Sequence, residues 1–210
     1  MEYQPEKQVG KDAYSLEEYG GVDRFASYHY QLKEICAAKP GSMLEIGVGD
    51  NVVASYIRRN TDIAYTSLDI ADDLGADVIG SVTDIPLPDG SYDIVCAFEV
   101  LEHLPFSEFE RALREMRRVA RTHVLISIPH FGPPVKFLLK LPFLPEMRCA
   151  FKIPFPRRHA FNGQHHWEVG KRGYAPSAVR SVIRSLFVIE REYVPFENQY
   201  HHFFVLRPLS

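Results

Sequence analysis

The sequence predicts an α/β protein with a doubly wound, mostly parallel sheet that closes with an antiparallel strand. Apolar strand patterns alternate with helical patterns in the order β-α-β-α-β, which is typical of a parallel sheet with right-handed crossovers. Tyr92–Phe98 is almost continuously apolar, as expected of a strand buried on both faces. The two final strands, predicted over residues 187–193 and 201–206, are joined by too few residues for a crossover helix. We therefore expect them to run antiparallel.

Composition limits the class of protein. The chain has 210 residues, of which 46% are hydrophobic, so it can bury a core and is predicted to be one domain. A net charge of −3 gives no sign of nucleic-acid binding. The N-terminus is polar, and no apolar run reaches the roughly 20 residues that a membrane span needs. The three cysteines are odd in number and far apart, which is typical of reduced thiols. These features predict a cytoplasmic location.

Residues 1–40 are predicted to form an N-terminal helical cap. Phe25, Tyr28, Leu32 and Ile35 recur at helical spacing, and the helix should end at residues 39–41, Lys-Pro-Gly. Two tyrosines precede this helix, Tyr14 and Tyr19. We expect them either to close over a bound ligand or to act as surface or docking aromatics.

The first strand and the loop after it are the central motif. Residues 43–46 form the strand, Gly47 and Gly49 make a tight turn, and a helix follows to about residue 59. The glycines let the backbone approach a ligand closely, and the helix start offers unpaired N–H groups. Glu45 and Asp50 would repel a diphosphate, and the third glycine of the dinucleotide motif is missing. S-adenosylmethionine has no phosphate and carries two cationic groups, so it suits this loop better.

Carboxylates after the next two strands predict the rest of a cofactor site. The second strand, residues 63–68, ends in Asp69, which can accept hydrogen bonds from both hydroxyls of a ribose. A brief third strand at residues 77–80 precedes Asp84 and Ile85. Asp84 could accept a hydrogen bond from an adenine amino group, with Ile85 packing on the ring. An ordinary polar loop is the alternative interpretation.

The fourth strand leads to residues 99–104, which should lie at the carboxyl edge of the sheet, where ligands bind in open α/β folds. Ser107 and Glu110 are spaced as a capping box for the next helix. A buried strand follows at residues 123–129, and a last helix carries Val179, Val182, Ile183 and Leu186.

These segments together resemble the class I S-adenosylmethionine-dependent methyltransferases, specifically the small-molecule group with a Glu-x-Gly-x-Gly loop. The resemblance covers about residues 42–130, and its motifs are Leu44-Glu45-Ile46-Gly47-Val48-Gly49, Asp69, residues 84–88, residues 91–95, Glu99-Val100-Leu101-Glu102-His103 and Met116-Arg117-Arg118-Val119-Ala120.

The resemblance implies a seven-stranded, Rossmann-like sheet and assigns the cofactor residues. Gly47 and Gly49, with Glu45 before them, would flank the methionine part, Asp69 the ribose, and Asp84 with Ile85 the adenine. Two features depart from the family pattern. Asn51 replaces the usual third glycine, and the segment between Asp69 and Asp84 is too short for a full helix, so the adenine side is expected to be open.

Methyl transfer from this cofactor is a direct displacement, so the protein mainly aligns the reactants and excludes water. A general base is needed only for a protonated acceptor. His103, or Glu99 through a water molecule, is the predicted catalytic residue, and Glu99 is also expected to contact the cofactor. A structural hydrogen bond within the loop is the alternative for His103.

Residues 131–172 form a basic, apolar insertion that the family does not predict. They contain eight Lys or Arg against two Glu, a net of +6, and the rest of the chain carries −9. Six prolines prevent a long helix. The insertion is interpreted as a lid that favours anionic or lipid-like acceptors, as a peripheral contact with an acidic membrane, or as a packed or dimer contact.

Histidines near the end of the insertion suggest either a metal site or an acceptor pocket. His159, His165, His166 and Glu168 match no standard zinc spacing, so no metal is predicted. The predicted acceptor residues are His165, His166, Trp167, Tyr200 and His201.

Three functions remain open at this point. The favoured one is methyl transfer to a small-molecule acceptor such as a saccharide or lipid precursor, by a monomer or homodimer. The second is a non-catalytic S-adenosylmethionine-binding regulatory or scaffold protein, which the Asn51 departure permits. The third is a nucleotide-sugar or dinucleotide enzyme, which Glu45 and Asp50 disfavour.

Overall fold

The computed structural model of the chain describes residues 14–209, apart from the side chain of Glu18. Predictions for residues 1–13 of the N-terminal cap lie outside this range. The helices are α1 (Leu16–Tyr19), α2 (Val22–Ala38), α3 (Val52–Asn60), α4 (Phe106–Val119) and α5 (Pro176–Arg184). The strands are β1 (Ser42–Ile46), β2 (Ala64–Asp69), β3 (Val78–Ile79), β4 (Tyr92–Phe98), β5 (Ala120–Pro129), β6 (Pro134–Leu139), β7 (Met147–Lys152), β8 (Phe187–Tyr193) and β9 (His201–Pro208).

Seven of these strands form one sheet in the order β3-β2-β1-β4-β5-β9-β8. Strands β1 to β5 are parallel, and β9 runs antiparallel to both β5 and β8. This confirms the predicted fold class, including the antiparallel last strand. The sheet order reverses between β1 and β4, and ligands bind beyond the carboxyl ends of the strands at such a point.

Both faces of the sheet are covered by helices. On one face, Phe109, Leu113, Met116 and Val119 of α4 are fully buried in the main core. On the other face, α2 and α3 pack against β1 and β4, with Ile35 and Ile57 fully buried. Burying each such side chain contributes about 1.5–3 kcal/mol.

The capping box predicted at Ser107 is wrong. Helix α4 begins at Phe106, and its N-cap is Pro105, with no side chain capping the helix. The φ of −54° at Pro105 suits entry into a helix, so the chain turns two residues earlier than the Ser-x-x-Glu spacing suggests. Ser107 therefore lies in the first turn.

The connection from β2 to β3 is short, as predicted. Between Asp69 and Val78 the described chain contains turns and no helix. The adenine side of the expected cofactor site therefore lacks the helix that usually flanks it.

The insertion folds as a β-hairpin of β6 and β7, separate from the main sheet. Among residues 14–209, no helix is long and apolar enough to cross a membrane.

Candidate active site

The loop between β1 and α3 depends on three residues with left-handed backbone conformation. Gly47, Gly49 and Asn51 have φ of +79°, +51° and +63°. Asparagine tolerates this conformation because its short polar side chain can bond locally, and here Asn51 Nδ2 donates to Leu74 O at 3.3 Å. Asn51 therefore adopts a left-handed conformation of the kind that a third glycine could take.

The side chain of Asp69 fixes this loop from the end of β2. Its Oδ2 accepts a hydrogen bond from Val48 N at 3.0 Å, and its Oδ1 accepts one from Ala71 N at 2.8 Å. Each carboxylate oxygen has a second acceptor site, so both remain able to bind hydroxyls. The assignment of Asp69 to the ribose stays a prediction, and the structure adds a role in shaping the loop.

Glu45 does not face the open loop as a charged carboxylate. It is buried, and the Tyr65 hydroxyl donates a hydrogen bond to it. Burial raises the pKa of Glu45 to about 8, so the carboxyl is mostly neutral at neutral pH. The negative charge next to the glycines comes instead from Asp50, which accepts a hydrogen bond from the Tyr28 hydroxyl at 2.6 Å. The cofactor contact predicted for Glu45 remains untested.

Tyr14 lies over the glycine loop. A β-carbon placed on Gly49 would be 3.6 Å from Tyr14 Cε1, and the ring packs with Val48, Ala71 and Leu74. Tyr19 contacts Tyr14 edge to face, with ring centroids 4.8 Å apart. This arrangement fits the lid interpretation of the two tyrosines, which remains a prediction.

The predicted adenine residues differ in exposure. Asp84 is exposed, in a turn where its N–H donates to Ser81 O. Ile85 is only 2% exposed and belongs to the main core. Its side chain therefore does not lie at the surface. The sequence pattern could not distinguish an isoleucine that contacts an adenine ring from one that belongs to the core. Contact between Ile85 and an adenine requires this loop to move.

The loop after β4 contacts the glycine loop through Val100, which packs against Gly47. Glu99, at the start of this loop, has φ of +56° and is buried. Its Oε2 lies 3.2 Å from His201 Nε2, and His201 Nδ1 lies 2.6 Å from Ser27 Oγ. Burial raises the pKa of Glu99 and lowers that of His201. Glu99, a predicted catalytic residue, thus contacts His201, a predicted acceptor residue, and both side chains are buried.

A second polar cluster lies in the same loop and contains Glu102, His103 and His165. His103 Nδ1 bonds to Gln164 O at 3.1 Å, and the two imidazole centroids are 5.1 Å apart. Glu102 is fully buried, and neither of its carboxyl oxygens has a hydrogen-bond partner among residues 14–209. Burial is also the main reason that the pKa of His103 falls to about 4. His103 is therefore a neutral imidazole at physiological pH.

Trp167 is a core residue and not part of an open acceptor pocket. It is fully buried and packs on Phe106, Phe109 and Tyr174, and its Nε1 donates to Leu101 O at 3.2 Å. The sequence analysis placed it in a pocket because the insertion and the last strands were expected to face the methyl end of the cofactor, but its large apolar surface is buried against α4. The neighbouring His166 is half-buried, with its ring on Phe161.

Tyr200 lies at the wall of an open cleft of about 710 Å³. The cleft is also lined by the basic residues Lys136, Lys152 and Arg157 of the insertion. Burial and the nearby negative charges of Glu168, Glu99 and Glu102 raise the pKa of Tyr200. Tyr200 therefore connects the cleft to the carboxylates at the end of β4.

The sequence analysis missed three residues of this region. Glu102 stood inside a quoted motif without a role, Glu168 was considered only as a metal ligand, and Ser27 was not considered. Only for Glu102 was there a usable signal, a carboxylate in the ligand-binding loop after a buried strand. Ser27 and His201 are 174 positions apart, so no local sequence pattern could predict their contact.

Comparison with known proteins supports the class that the fold and site suggest. Residues 44–128 match a protein family described as "Methyltransferase domain". The chain is 30% identical over 106 residues to ajmaline N-methyltransferase of Rauvolfia serpentina. That alignment covers 43% of this chain and 36% of the relative, so the chain spans about a third of the length of this curated protein.

Solved structures share the fold along nearly the whole chain. A protein from Pyrococcus horikoshii OT3 gives a TM-score of 0.61 at 13% identity, covering 96% of this chain and 100% of that one. An N-methyltransferase from Bradyrhizobium japonicum WM9, solved with S-adenosylhomocysteine, gives 0.60 at 10% identity, covering 97% and 95%.

The matched segment is thus similar to a methyltransferase domain, and the fold is the one seen in the solved structures above. Residues 44–128 include the glycine loop, Asp69 and the loop after β4, which the sequence analysis expects to bind S-adenosylmethionine. The left-handed backbone conformations of Gly47 and Gly49 disfavour side chains in the glycine loop.

Proposed function

We propose that this chain transfers a methyl group to a small-molecule acceptor that binds in the cleft beside Tyr200, and that the acceptor is an anionic, lipid-like precursor. Bound S-adenosylmethionine supplies a methyl group on a positively charged sulfur. The glycine loop and Asp69 orient the cofactor, and the loop after β4 orients the acceptor. Glu99 and His103 remain the proposed catalytic residues.

The position of Tyr200 is the observation that carries this proposal. Its ring lines the cleft, and its hydroxyl is close enough to Glu168 and Glu99 for their charges to raise its pKa. Glu99 lies at the end of β4, next to the loop that packs on Gly47. An acceptor in the cleft would thus reach the carboxyl edge of the sheet, where the cofactor is expected.

The charge of the cleft favours an anionic acceptor. Lys136, Lys152 and Arg157 line it from the insertion, against Asp23 and Glu197 from the body. Burial lowers the pKa of Lys152 to about 8, so this ammonium is still mostly charged at neutral pH. A carboxylate or phosphate group of the acceptor would stabilise the Lys152 ammonium in place of the water that burial removes.

The hairpin next to the cleft favours a lipid-like acceptor. Because paired residues share a face, Val135, Phe137 and Leu139 lie on the same face as Phe151, Cys149 and Met147. This face is entirely apolar, and Phe137 and Phe151 are 58% and 57% exposed. Exposed apolar area of this kind usually marks an interaction surface.

The opposite face of the hairpin carries the cations and is attached to the body. Lys136 Nζ donates to Glu197 O at 3.2 Å, Arg148 pairs with the Glu197 carboxylate, and Lys152 donates to His130 O. At the tip, Phe143 is completely exposed beside Lys140. Apolar area flanked by cations is what peripheral binding to an acidic membrane requires. We propose that the hairpin contacts such a membrane and admits the acceptor from it.

Cofactor binding and turnover test the proposed activity. We expect calorimetry to detect S-adenosylhomocysteine binding and no NAD binding. Turnover should then be seen with anionic amphiphiles in a panel that also contains free saccharides. Turnover with free saccharides alone would contradict the lipid-like acceptor. Binding of S-adenosylhomocysteine without turnover of any acceptor would favour the non-catalytic alternative.

Vesicle binding tests the hairpin separately. The double variant Phe137→Ser/Phe143→Ser should lose most of its sedimentation with phosphatidylglycerol-containing vesicles and keep its S-adenosylhomocysteine affinity. Tyr56→Ser is the matched control, because Tyr56 is a 47% exposed aromatic on α3. Equal vesicle binding by the wild type and the double variant would contradict membrane contact.

The remaining parts of the proposal concern location and assembly. The three cysteines are unpaired, which supports a reducing compartment such as the cytoplasm. We propose that the protein acts as a monomer or homodimer and binds no nucleic acid.

A further inference from the structure

The carboxyl group of Glu102 is completely buried, and within the described part of the chain neither of its oxygens has a hydrogen-bond partner. A buried carboxyl group in this state costs several kcal/mol, and native proteins nearly always supply a partner. The backbone of Glu102 is engaged, since its carbonyl accepts a hydrogen bond from His166 N at 2.8 Å. The state of this carboxyl group therefore indicates that a ligand binds beside it.

The groups that surround Glu102 are imidazoles. One ligand atom each from Glu102, His103 and His165 lie within 4.8 Å of one another. Two ligands that are each about 2.1 Å from one ion can be up to about 4.2 Å apart. His165 Nε2 and Glu102 Oε1 are 4.0 Å apart, which already satisfies this limit. A small adjustment of side chains would bring all three around one ion.

Both histidines have the second interactions that orient metal ligands. A carbonyl oxygen can only accept, so the contact of His103 Nδ1 with Gln164 O places the proton on Nδ1 and fixes the orientation of the ring. His165 Nδ1 faces Glu168 Oε1 at 3.6 Å, while its Nε2 faces Glu102. Glu168 in turn lies 3.9 Å from Lys171 Nζ. A carboxylate or carbonyl behind the imidazole is the usual arrangement in protein metal sites.

We propose that Glu102, His103 and His165 bind a divalent transition-metal ion at the acceptor side of the methyl-transfer site. This differs from the sequence prediction of no metal, which judged only the spacing of residues 159–168 and did not consider the loop after β4. Two imidazoles and one carboxylate favour zinc, cobalt or iron over magnesium and leave coordination positions open. The open positions would take an oxygen or nitrogen atom of the acceptor. His103 would then take part in the reaction by holding the ion.

Direct metal binding tests the proposal without depending on turnover. The full chain, freed of any affinity tag and treated with a chelator, is titrated with Co²⁺ and followed by visible absorption. We expect one equivalent to bind and to be displaced by Zn²⁺. His165→Ala and Glu102→Gln should each weaken binding by more than about tenfold.

The control is His166→Ala, which removes the adjacent imidazole outside the cluster. This variant should bind Co²⁺ within about twofold of the wild type, given the usual scatter of such constants. The affinity of each variant for S-adenosylhomocysteine reports whether the variant is folded. If Glu102→Gln does not fold, the His165→Ala variant alone tests the metal site. Absence of Co²⁺ binding at millimolar concentration would overturn the proposal. So would binding that survives His165→Ala or that His166→Ala weakens equally. Methyl transfer itself would be unaffected by that result.

Discussion

A β-carbon placed on Gly47 would lie 2.4 Å from Cγ2 of Val100, which is far inside van der Waals contact. Gly47 follows β1 and Val100 follows β4, and these strands are neighbours in the sheet. The loop expected to bind the cofactor and the loop expected to bind the acceptor therefore touch through this pair. A side chain at position 47 would require Val100 to shift.

We expect Gly47→Ala to damage both stability and cofactor binding. Alanine at φ of +79° costs about 1–2 kcal/mol, and the overlap with Val100 costs about 1–3 kcal/mol more. The free energy of unfolding in urea should therefore fall by about 2–5 kcal/mol. Calorimetry should show a loss of S-adenosylhomocysteine affinity of more than about tenfold.

Gly75→Ala separates backbone strain from overlap. Gly75 has φ of +73°, but a β-carbon there would meet no atom of residues 14–209 within 4 Å. This variant should lose only the backbone cost of about 1–2 kcal/mol. Equal losses of stability in the two variants would show that the contact with Val100 has no energetic weight.

Local patterns were sufficient for the elements of this fold. The apolar run of β4 predicted its bounds correctly, and the short link between the last two strands predicted that they are antiparallel. Gly47 and Gly49 could be placed in a ligand loop because few other residues adopt their backbone conformation.

Roles that depend on burial could not be predicted in the same way. The pattern around Glu45 suggested a charged group, but only the tertiary structure shows it enclosed with Tyr65. The same holds for Trp167, whose neighbours in sequence are polar while its neighbours in space belong to α4. The Glu99–His201 pair joins residues from β4 and β9, so no local pattern encodes it.

Asp69→Ala should abolish S-adenosylhomocysteine binding while the chain stays folded. The change removes the predicted ribose contact and also frees the N–H groups of Val48 and Ala71. Losing these bonds to a charged group should cost about 1.5–3 kcal/mol each, and thermal unfolding would measure the loss. Asp72→Ala is the control, because Asp72 is an exposed carboxylate in the same turn. A folded Asp69→Ala protein with wild-type affinity would contradict the assignment.

Glu45 should make the protein less stable as pH rises. The pKa of Glu45 is about 8 in the folded state against an ordinary value of 4.5, so the folded state binds the proton more tightly than the unfolded state. The resulting stabilisation is full below pH 4.5 and is lost progressively up to about pH 8. Relative to wild type, Glu45→Gln should therefore gain a few kcal/mol of unfolding free energy between pH 5 and pH 8.

Glu115→Gln should show the opposite trend. Hydrogen bonding to Arg118 lowers the pKa of Glu115, so its stabilisation is present at neutral pH and is lost as the pH falls through the folded-state pKa. This variant should be less stable than wild type at pH 7, and the difference should disappear in acid. Urea unfolding at several pH values measures both effects. If the unfolding free energy of Glu45→Gln changes with pH in parallel with that of the wild type, Glu45 is ionised in the folded protein.

Trp167 and Tyr200 were both predicted to bind the acceptor, and the structure separates their roles. Trp167 is fully buried on Phe106 and Phe109, whereas Tyr200 is 40% exposed at the cleft. Trp167→Ala should therefore lower the free energy of unfolding by about 3–5 kcal/mol through the cavity it leaves. Tyr200→Ala should cost under about 1 kcal/mol and instead raise the KM for the acceptor. Urea unfolding and steady-state kinetics on both variants test this separation. It would be contradicted if Trp167→Ala kept wild-type stability or if Tyr200→Ala left the KM unchanged.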